Sequence, residues 1–559
     1  MKKINLILFL ILLLASFLRF YNLAWSDVIN DEVIIAFRSI GYVDFFSSPY
    51  QTTPWEWFSD VPFWARLSFH DHPPLVFLLQ RLSFLLFGQN IIALRLPFAL
   101  AGVGSVFLLY LIGKKLFNKE VGFIASLLLA VSSYHVWISR TGLQESIAIF
   151  LVLLTFYYFL QVLNQKNYYL FGLALGLAMI TKYTTFFLFP VFIIYLLLFD
   201  RSIFKERKFW LAFLIAFLIF SPVIIYNIGL YQARGHFDLQ FSYLFGQQVP
   251  EWEYLPGKLQ AGDFGDRLTN LIPALYKGIM WPMFILFVLS LIFIIYKFFK
   301  GVHHWRSGSI HHQSDESSFL LILAILFQFL LFLVIGPSQR FVVVAVPFII
   351  LLISWFIFRQ KKIIKYPILI IVVTLEIFFS VNTLFVYHPI GKENITYSYL
   401  WVENYNWGYN QLDDYLNQLL KNKKPAVTFE SRYGFLEKIK VKALVQAEKK
   451  GKEDWPVLLV YDSNMYDLAT FWLFHRRLVY DGWPIITADN YLEEGKDFWT
   501  NQGIKDFYFF SILDHTILSQ SLAVKTDGSQ KLINELGKIK PEIIKRPDGR
   551  EVFAVYYWQ

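Results

Sequence analysis

The sequence predicts a polytopic α-helical membrane protein with a C-terminal soluble α/β domain, and three observations carry that prediction. Of its 559 residues 56% are hydrophobic and only 17% charged, with a mean hydropathy of +0.46. Apolar runs near the length of a bilayer crossing recur through residues 1–386. From Tyr387 onward the pattern changes to short mixed segments, which places a domain boundary there and assigns 387–559 to the second domain. Cysteine is absent, which excludes disulfide and thiol chemistry. The net charge of +9 does not point to nucleic acid, because much of the Lys and Arg sits in short loops that orient a membrane protein.

The opening MKKINLILFLILLLASFLRF has the basic start of a secretory signal, but its apolar run is long and no clean small-residue cleavage pattern follows. It reads as a retained first helix. Eleven crossings are expected, at about 4–22, 91–113, 121–138, 143–163, 168–182, 184–199, 208–229, 276–297, 318–336, 340–358 and 364–386. With the N-terminus inside, the inner loops become MKK, GKKLFNKE, NQKN, DRSIFKERK, KFFKGVHHWRSG and RQKKIIK, which gather most of the loop Lys and Arg. The piece PPLVFLLQRLSFLLFG (73–88) is short and carries Arg81; as a twelfth span it would move GKKLFNKE outside, so it reads as interfacial or half-inserted.

The first loop (23–72), the turn SRTGLQES (139–146), the loop 231–270, the turn GPSQR and the C-terminal region then share the outer side. In that region AVTFES, PVLLVYD, DFYFFSI and EVFAVYYW read as strands, and NQLDDYLNQLLKN and SQKLINELGKI as helices. No Gly-rich nucleotide fingerprint occurs. The His-rich HHWRSGSIHHQSDESS reads as a polar linker rather than a metal site.

Charges at or near apolar runs need a reason, since one at a helix centre costs about 2.5–3.5 kcal/mol on insertion scales. Structural reasons exist for each taken singly. Asp31 and Glu32 suit a helix start, Arg140 an interface anchor paired with Glu145, Lys182 a snorkelling side chain, Arg340 a lipid-headgroup contact, and His72 a turn.

Taken together, NDEVIIAF (30–37), HPPL (72–75), RLPFALAG, SRTGLQES, TKYTTFFLFP, GPSQRFVVVAVPFIILL and NWGYNQLDDYLNQLL resemble, in order and spacing, the protein O-mannosyltransferase and aminoarabinose transferase superfamily. That is glycosyltransferase family 39 with its bacterial relatives, of the GT-C fold with about eleven to thirteen membrane helices. The resemblance is best over the first two hundred residues. It implies transfer of a sugar, with inversion, from a polyprenyl-phosphate-linked donor to an extracytoplasmic lipid, glycan or protein acceptor, in a multi-pass protein of the cell membrane. A phosphate leaving group needs no protonation by the enzyme, so one carboxylate base can suffice.

By the same resemblance Asp31 is the base, with Glu32 beside it, although the residues alone leave open which of the two serves. Glu145 joins them as a catalytic acid residue. Arg140, Lys182 and Arg340 bind the donor phosphate, where guanidinium offers a fixed charge and a planar fork, and His72 and Tyr183 contact substrate. These residues are expected to converge in one outward-facing cavity. A divalent metal is left open as a cofactor, with Glu32, His72, Glu145 and His236 as ligands.

The sequence departs from the eukaryotic pattern at FHDHPPL, where His70 stands in place of an aspartate and Asp71 precedes His72 directly, putting any role for Asp71 in doubt. The loop 231–270, which is too short for the eukaryotic acceptor domain, is expected to act as a lid. The alternatives are a transporter or flippase, an oligosaccharyltransferase, whose Trp-Trp-Asp-Tyr-Gly signature is missing, and a non-catalytic scaffold.

Overall fold

Every run that the sequence marks as a crossing forms helix in the computed structural model, which describes residues 6–45, 53–58, 60–247, 263–305, 313–431, 434–513 and 526–559. Among the described residues, seven helices are long and apolar enough to cross a bilayer: Ile91–Leu116, Glu145–Val162, Arg207–Arg234, Phe264–Lys297, Glu316–Ile335, Gln339–Phe358 and Lys362–Leu384. Leu6–Phe20, Tyr168–Met179 and Tyr183–Phe199 are shorter apolar helices, as is Leu75–Phe87 in the stretch read as interfacial. Close approach is bought with small residues: a Cβ on Gly172 would lie 2.2 Å from the Ala212 carbonyl oxygen, and one on Gly176 3.0 Å from the Ala216 Cα. This is how membrane helices pack where no hydrophobic gain separates helix from lipid.

The expected single crossing at 121–138 is instead two helices, Lys119–Val131 and Ser133–Arg140, bent by 60°. A break in an apolar medium strands backbone groups that must find other partners. Here Arg19, from the first helix, donates to the carbonyls of Leu129 (3.2 Å) and Ala130 (3.0 Å), and the Ser380 hydroxyl donates to that of Val131 (3.1 Å). On the other side of the break the Ser133 N–H donates to the Glu376 carboxylate (3.2 Å). The Arg19 guanidinium therefore meets the carbonyl end of one half, where a cation suits the helix dipole, and the Glu376 carboxyl accepts at the amide end of the other.

The chain divides into two units, Met1–Leu23 with Asp44–Val402, and Ala24–Val43 with Glu403–Gln559. The division thus falls after Val402 rather than at Tyr387, and part of the first loop joins the C-terminal region. Residues just past the last span stay with the helices because the Asn382 side chain bonds the backbone of Ile390 and Thr396. Residues 24–28 join the second unit because Asp27 accepts the N–H groups of Trp407 (2.5 Å), Tyr409 (3.2 Å) and Asn410 (2.8 Å) at the start of helix Tyr409–Leu419. The Asn410 amide in turn donates to the carbonyls of Ala24, Trp25 and Ser26.

The second unit holds a five-stranded sheet in the order Ile485–Thr487, Val457–Tyr461, Asp506–Ile512, Glu551–Trp558, Glu542–Lys545. The first three strands are parallel, and Glu551–Trp558 runs antiparallel to both of its neighbours. Strand periodicity divides the DFYFFSI run between two cores: Phe507 and Phe509 face one, Phe510 and Ile512 the other. The expected strand AVTFES is not one; the pairing there is Lys423–Pro425 with Glu453–Trp455. Asp413 accepts from Arg476 (2.6 Å) and Arg477 (2.7 Å), which lie where the π-helical stretches Phe471–His475 and Arg477–Asp481 join. Burial alone would raise the acid's pKa, but Arg476 and then Arg477 outweigh it and hold the carboxyl below the usual aspartate range.

Replacing Asp413 by Asn removes the buried carboxylate that both guanidiniums share, at an expected cost of about 3–5 kcal/mol, read by chemical unfolding of the full chain in detergent. Because the folded pKa is depressed, this stabilisation is present above the usual aspartate range and is lost as pH falls through the folded value. Wild type should lose stability on that acid limb more steeply than Asp413→Asn; parallel curves would refute the assignment.

Candidate functional site

In the helical unit, the turn after Arg140 delivers Glu145 as the first residue of helix Glu145–Val162, fully buried. Its Oε1 accepts from Lys182 Nζ at 2.5 Å and Arg340 Nε at 2.7 Å. Lys182 follows helix Tyr168–Met179, and Arg340 lies in the short helix Gln339–Val342, whose N-terminus the Ser338 hydroxyl caps. Lys182 Nζ also stands 4.6 Å over the Phe341 ring. The structure thus brings the side chains of Glu145, Lys182 and Arg340 together. The two cations occupy the acid that a base would need free.

Arg140 has other partners. Its NH1 donates to the carbonyls of Leu18 (3.1 Å), Arg19 (3.4 Å) and Tyr21 (2.7 Å), and its NH2 to that of Asn22 (3.0 Å). The guanidinium sits 4.6 Å from the Phe385 ring centroid. Arg95 donates to the next carbonyl, Leu23 (2.9 Å). These two arginines close the C-terminal end of the first helix, so in this structure Arg140 binds backbone where the sequence reading had it bind phosphate.

A second polar group surrounds the HDHPP turn. His70 Nδ1 lies 2.7 Å from Asp44 Oδ1, and the His70 N–H donates to Asp44 Oδ2 (2.9 Å). His72 Nδ1 is 2.9 Å from Asp71 Oδ2. Ligand atoms of Asp44, His70 and Asp71 all lie within 4.8 Å of one another, so these three could hold a divalent cation. Of the ligands expected from sequence, Glu145 is committed to its ion pairs and His236 bonds the Phe237 carbonyl (2.8 Å). Asp44 and His70 were not anticipated; the only sequence signal was His70 standing where the eukaryotic pattern has an acid.

Tyr183 donates to Asp238 Oδ2 (2.8 Å), which also accepts from Asn227 (3.1 Å). Asp238 caps helix Leu239–Leu244 through the N–H groups of Gln240 and Phe241, and burial raises its pKa against those hydrogen bonds. Backbone bonds tie this helix to the turn, from Leu239 N–H to the His70 carbonyl (2.8 Å) and from the Gln240 side chain to that of Asp71 (3.1 Å). The start of the proposed lid is thus anchored; residues 248–262 lie outside the described residues.

In the second unit, Asp31 and Glu32 begin helix Glu32–Gly41. Asp31 is exposed at its N-cap and Glu32 is fully buried, with its N–H on the Asn30 side chain (2.9 Å). Two adjacent carboxylates that the sequence could not tell apart are separated by environment.

Residues 71–226 match the model of the dolichyl-phosphate-mannose-protein mannosyltransferase family. Two proteins of Bacillus subtilis are similar: the candidate mannosyltransferase YkcB, 27% identical over 263 residues (43% of this chain, 35% of that protein), and the candidate mannosyltransferase YycA, 30% identical over 238 residues (41% and 32%). The matched region spans about a third of each of these relatives. Among solved structures, ArnT from Cupriavidus metallidurans bound to undecaprenyl phosphate superimposes with a TM-score of 0.53, covering 98% of this chain and 97% of that one at 13% identity. At that identity the likeness is one of fold, and it runs the whole length of the chain, second unit included. Residues 71–226 are thus similar to that mannosyltransferase family, and the chain as a whole shares the fold of ArnT.

Proposed function

We propose that the chain is an inverting glycosyltransferase that moves a sugar from a polyprenyl-phosphate carrier to an acceptor on the outer side of the cell membrane. The observation that carries this reading is the Glu145–Lys182–Arg340 group, in which two cations converge on one buried carboxylate among apolar helices. A phosphate held by an apolar tail is the anion that such a group, at the ends of apolar helices, is suited to meet. The undecaprenyl phosphate in the ArnT structure and the lipid-phosphate sugar in the family's description support that choice of carrier.

Asp31 is assigned as the base. It is the exposed member of the pair, reachable by an acceptor, and it takes the acceptor's proton as that oxygen attacks the anomeric carbon from the face opposite the phosphate. Glu32, buried beside it, orients that end of the helix. Negative charge grows on the phosphate as the sugar leaves, and Lys182 and Arg340 stabilise it. The phosphate role given to Arg140 passes to these two. A divalent cation held by Asp44, His70 and Asp71 would add charge neutralisation for a phosphate. His72 and Tyr183, beside that group and on Asp238, are kept as substrate contacts. The outer side is chosen because the Lys- and Arg-rich loops mark the inner one.

A transporter would use a broken span to bind its substrate at the stranded ends. The ends of the break at Ser132 are occupied by Arg19, Ser380 and Glu376, so the break favours no second reading.

Membranes carrying Asp31→Asn should transfer label from a radiolabelled polyprenyl-phosphate sugar about 10²–10⁴-fold more slowly than wild type; equal transfer would remove Asp31 as the base. Glu145→Gln removes the carboxylate that Lys182 and Arg340 share, so the double variant Glu145→Gln/Lys182→Met should be more stable than the sum of the singles by about 0.5–3 kcal/mol. Additive losses in detergent unfolding would mean that the ion pair is not formed.

A further inference from the structure

We infer that the C-terminal domain holds the base-bearing helix in place, with Asp27 and Tyr480 as positioning residues for Asp31. This rests on Asp31 being the base. Helix Glu32–Gly41 is ten residues long, too short to be stable by itself in water, and its position must come from what it packs against. Within its own unit it is fixed at both ends and along one side.

At the entering end, Asp27 stands four residues before Asp31 and accepts three backbone N–H groups at the start of helix Tyr409–Leu419. An anion at a helix N-terminus is a strong anchor, because unsatisfied amides and the dipole act together. The Asn410 and Asn406 side chains bond the carbonyls of residues 24–26 from the other side. Ile29, between Asp27 and Asp31, packs on the hydrophobic core that contains Tyr409, Leu412 and Leu416. Little slack remains between the anchor and Asp31.

At the leaving end, the Tyr480 hydroxyl donates to the Phe37 carbonyl at 2.7 Å. A Cβ on Gly41 would come within 2.5 Å of the Tyr480 ring, so only glycine admits that ring. Along the side, the Phe37 ring meets Phe471 edge-on at 5.5 Å and Tyr480 at 5.2 Å. Tyr466 closes the near end. Burial, and behind it the negative charge of Asp31, raise the pKa of its phenol, which places the two groups in one local field.

The hydrogen bonds that Asp27 accepts and that Tyr480 donates to Phe37 fall on backbone atoms, outside the acid–base chemistry. They set where Asp31 is, and a shift on the order of 1 Å at a reacting group can cost about a hundredfold in rate. Tyr480→Phe removes a single hydroxyl from a ring that keeps its packing, and Asp27→Asn keeps the shape of the side chain while removing its charge.

The test is label transfer from a radiolabelled polyprenyl-phosphate sugar by the full chain in membranes, with the midpoint of thermal unfolding measured on the same variants. Tyr480→Phe and Asp27→Asn are expected to lower kcat by on the order of tenfold or more, with the KM for donor unchanged and the unfolding midpoint close to wild type. Should Asp27→Asn fail to fold, Tyr480→Phe decides. Wild-type kcat in Tyr480→Phe alongside an inactive Asp31→Asn overturns the positioning role and leaves the proposed function standing. A rise in donor KM with unchanged kcat also overturns it, since the base would not have moved. Full activity of Asp31→Asn overturns both.

Discussion

Backbone polar groups in an apolar medium must be satisfied by the protein itself, and the way this chain meets that rule around Ser132 fixes much of the helical unit. The break leaves carbonyls and amides that water cannot reach. Arg19 takes the carbonyls of Leu129 and Ala130, while Arg140, at the end of the following half-helix, takes those of Leu18, Arg19, Tyr21 and Asn22. Each arginine thus satisfies the end of the helix that the other belongs to or adjoins. Neither can be moved alone without stranding carbonyls, and a buried guanidinium left without its acceptors is among the costliest groups in a fold.

That interlock has a consequence five residues on. The half-helix ends at Arg140 and the next begins at Glu145, so anchoring Arg140 sets where Glu145 starts. Glu145 then faces Lys182 and Arg340, which arrive from helices remote in sequence. An arginine fixed to backbone is what allows a carboxylate in an apolar setting to meet two cations without wandering. The family pattern of an arginine followed by an acid is therefore read here as anchor and counter-ion, and the two residues serve one site by different means.

What the sequence disclosed follows the range of the forces involved. Crossings were legible because hydrophobicity is additive along a run, and the helix boundary at Thr141–Gly142 because it is local chemistry. The strands Val457–Tyr461, Asp506–Ile512 and Glu551–Trp558 were legible from β-branched and aromatic runs, whereas Ile485–Thr487 and Glu542–Lys545 are three and four residues long and carry little pattern. Illegible were the contacts that join distant residues: Asp27 to Trp407 spans 380 positions, and Arg140 to Asn22 spans 118. A motif names a residue type at a place; which of its atoms are already spent depends on the fold. Arg140 shows this most plainly, and Asp44, with no motif around it, shows the converse.

The separation between domains follows the same logic. A boundary read from composition falls where apolar runs stop, after the last span. The physical boundary falls where hydrogen bonds change owner, after Val402, and the chain passes between units at Leu23–Ala24 and Val43–Asp44 as well. The second unit is therefore not a contiguous tail. A fragment beginning at Glu403 would lack Asp27, leave the first N–H groups of helix Tyr409–Leu419 without their acceptor, and leave the Asn410 amide without three carbonyls. A domain completed by twenty residues from the other end of the chain cannot have been appended as an independent module, and its fold and the placement of the Asp31–Glu32 helix are one structural problem.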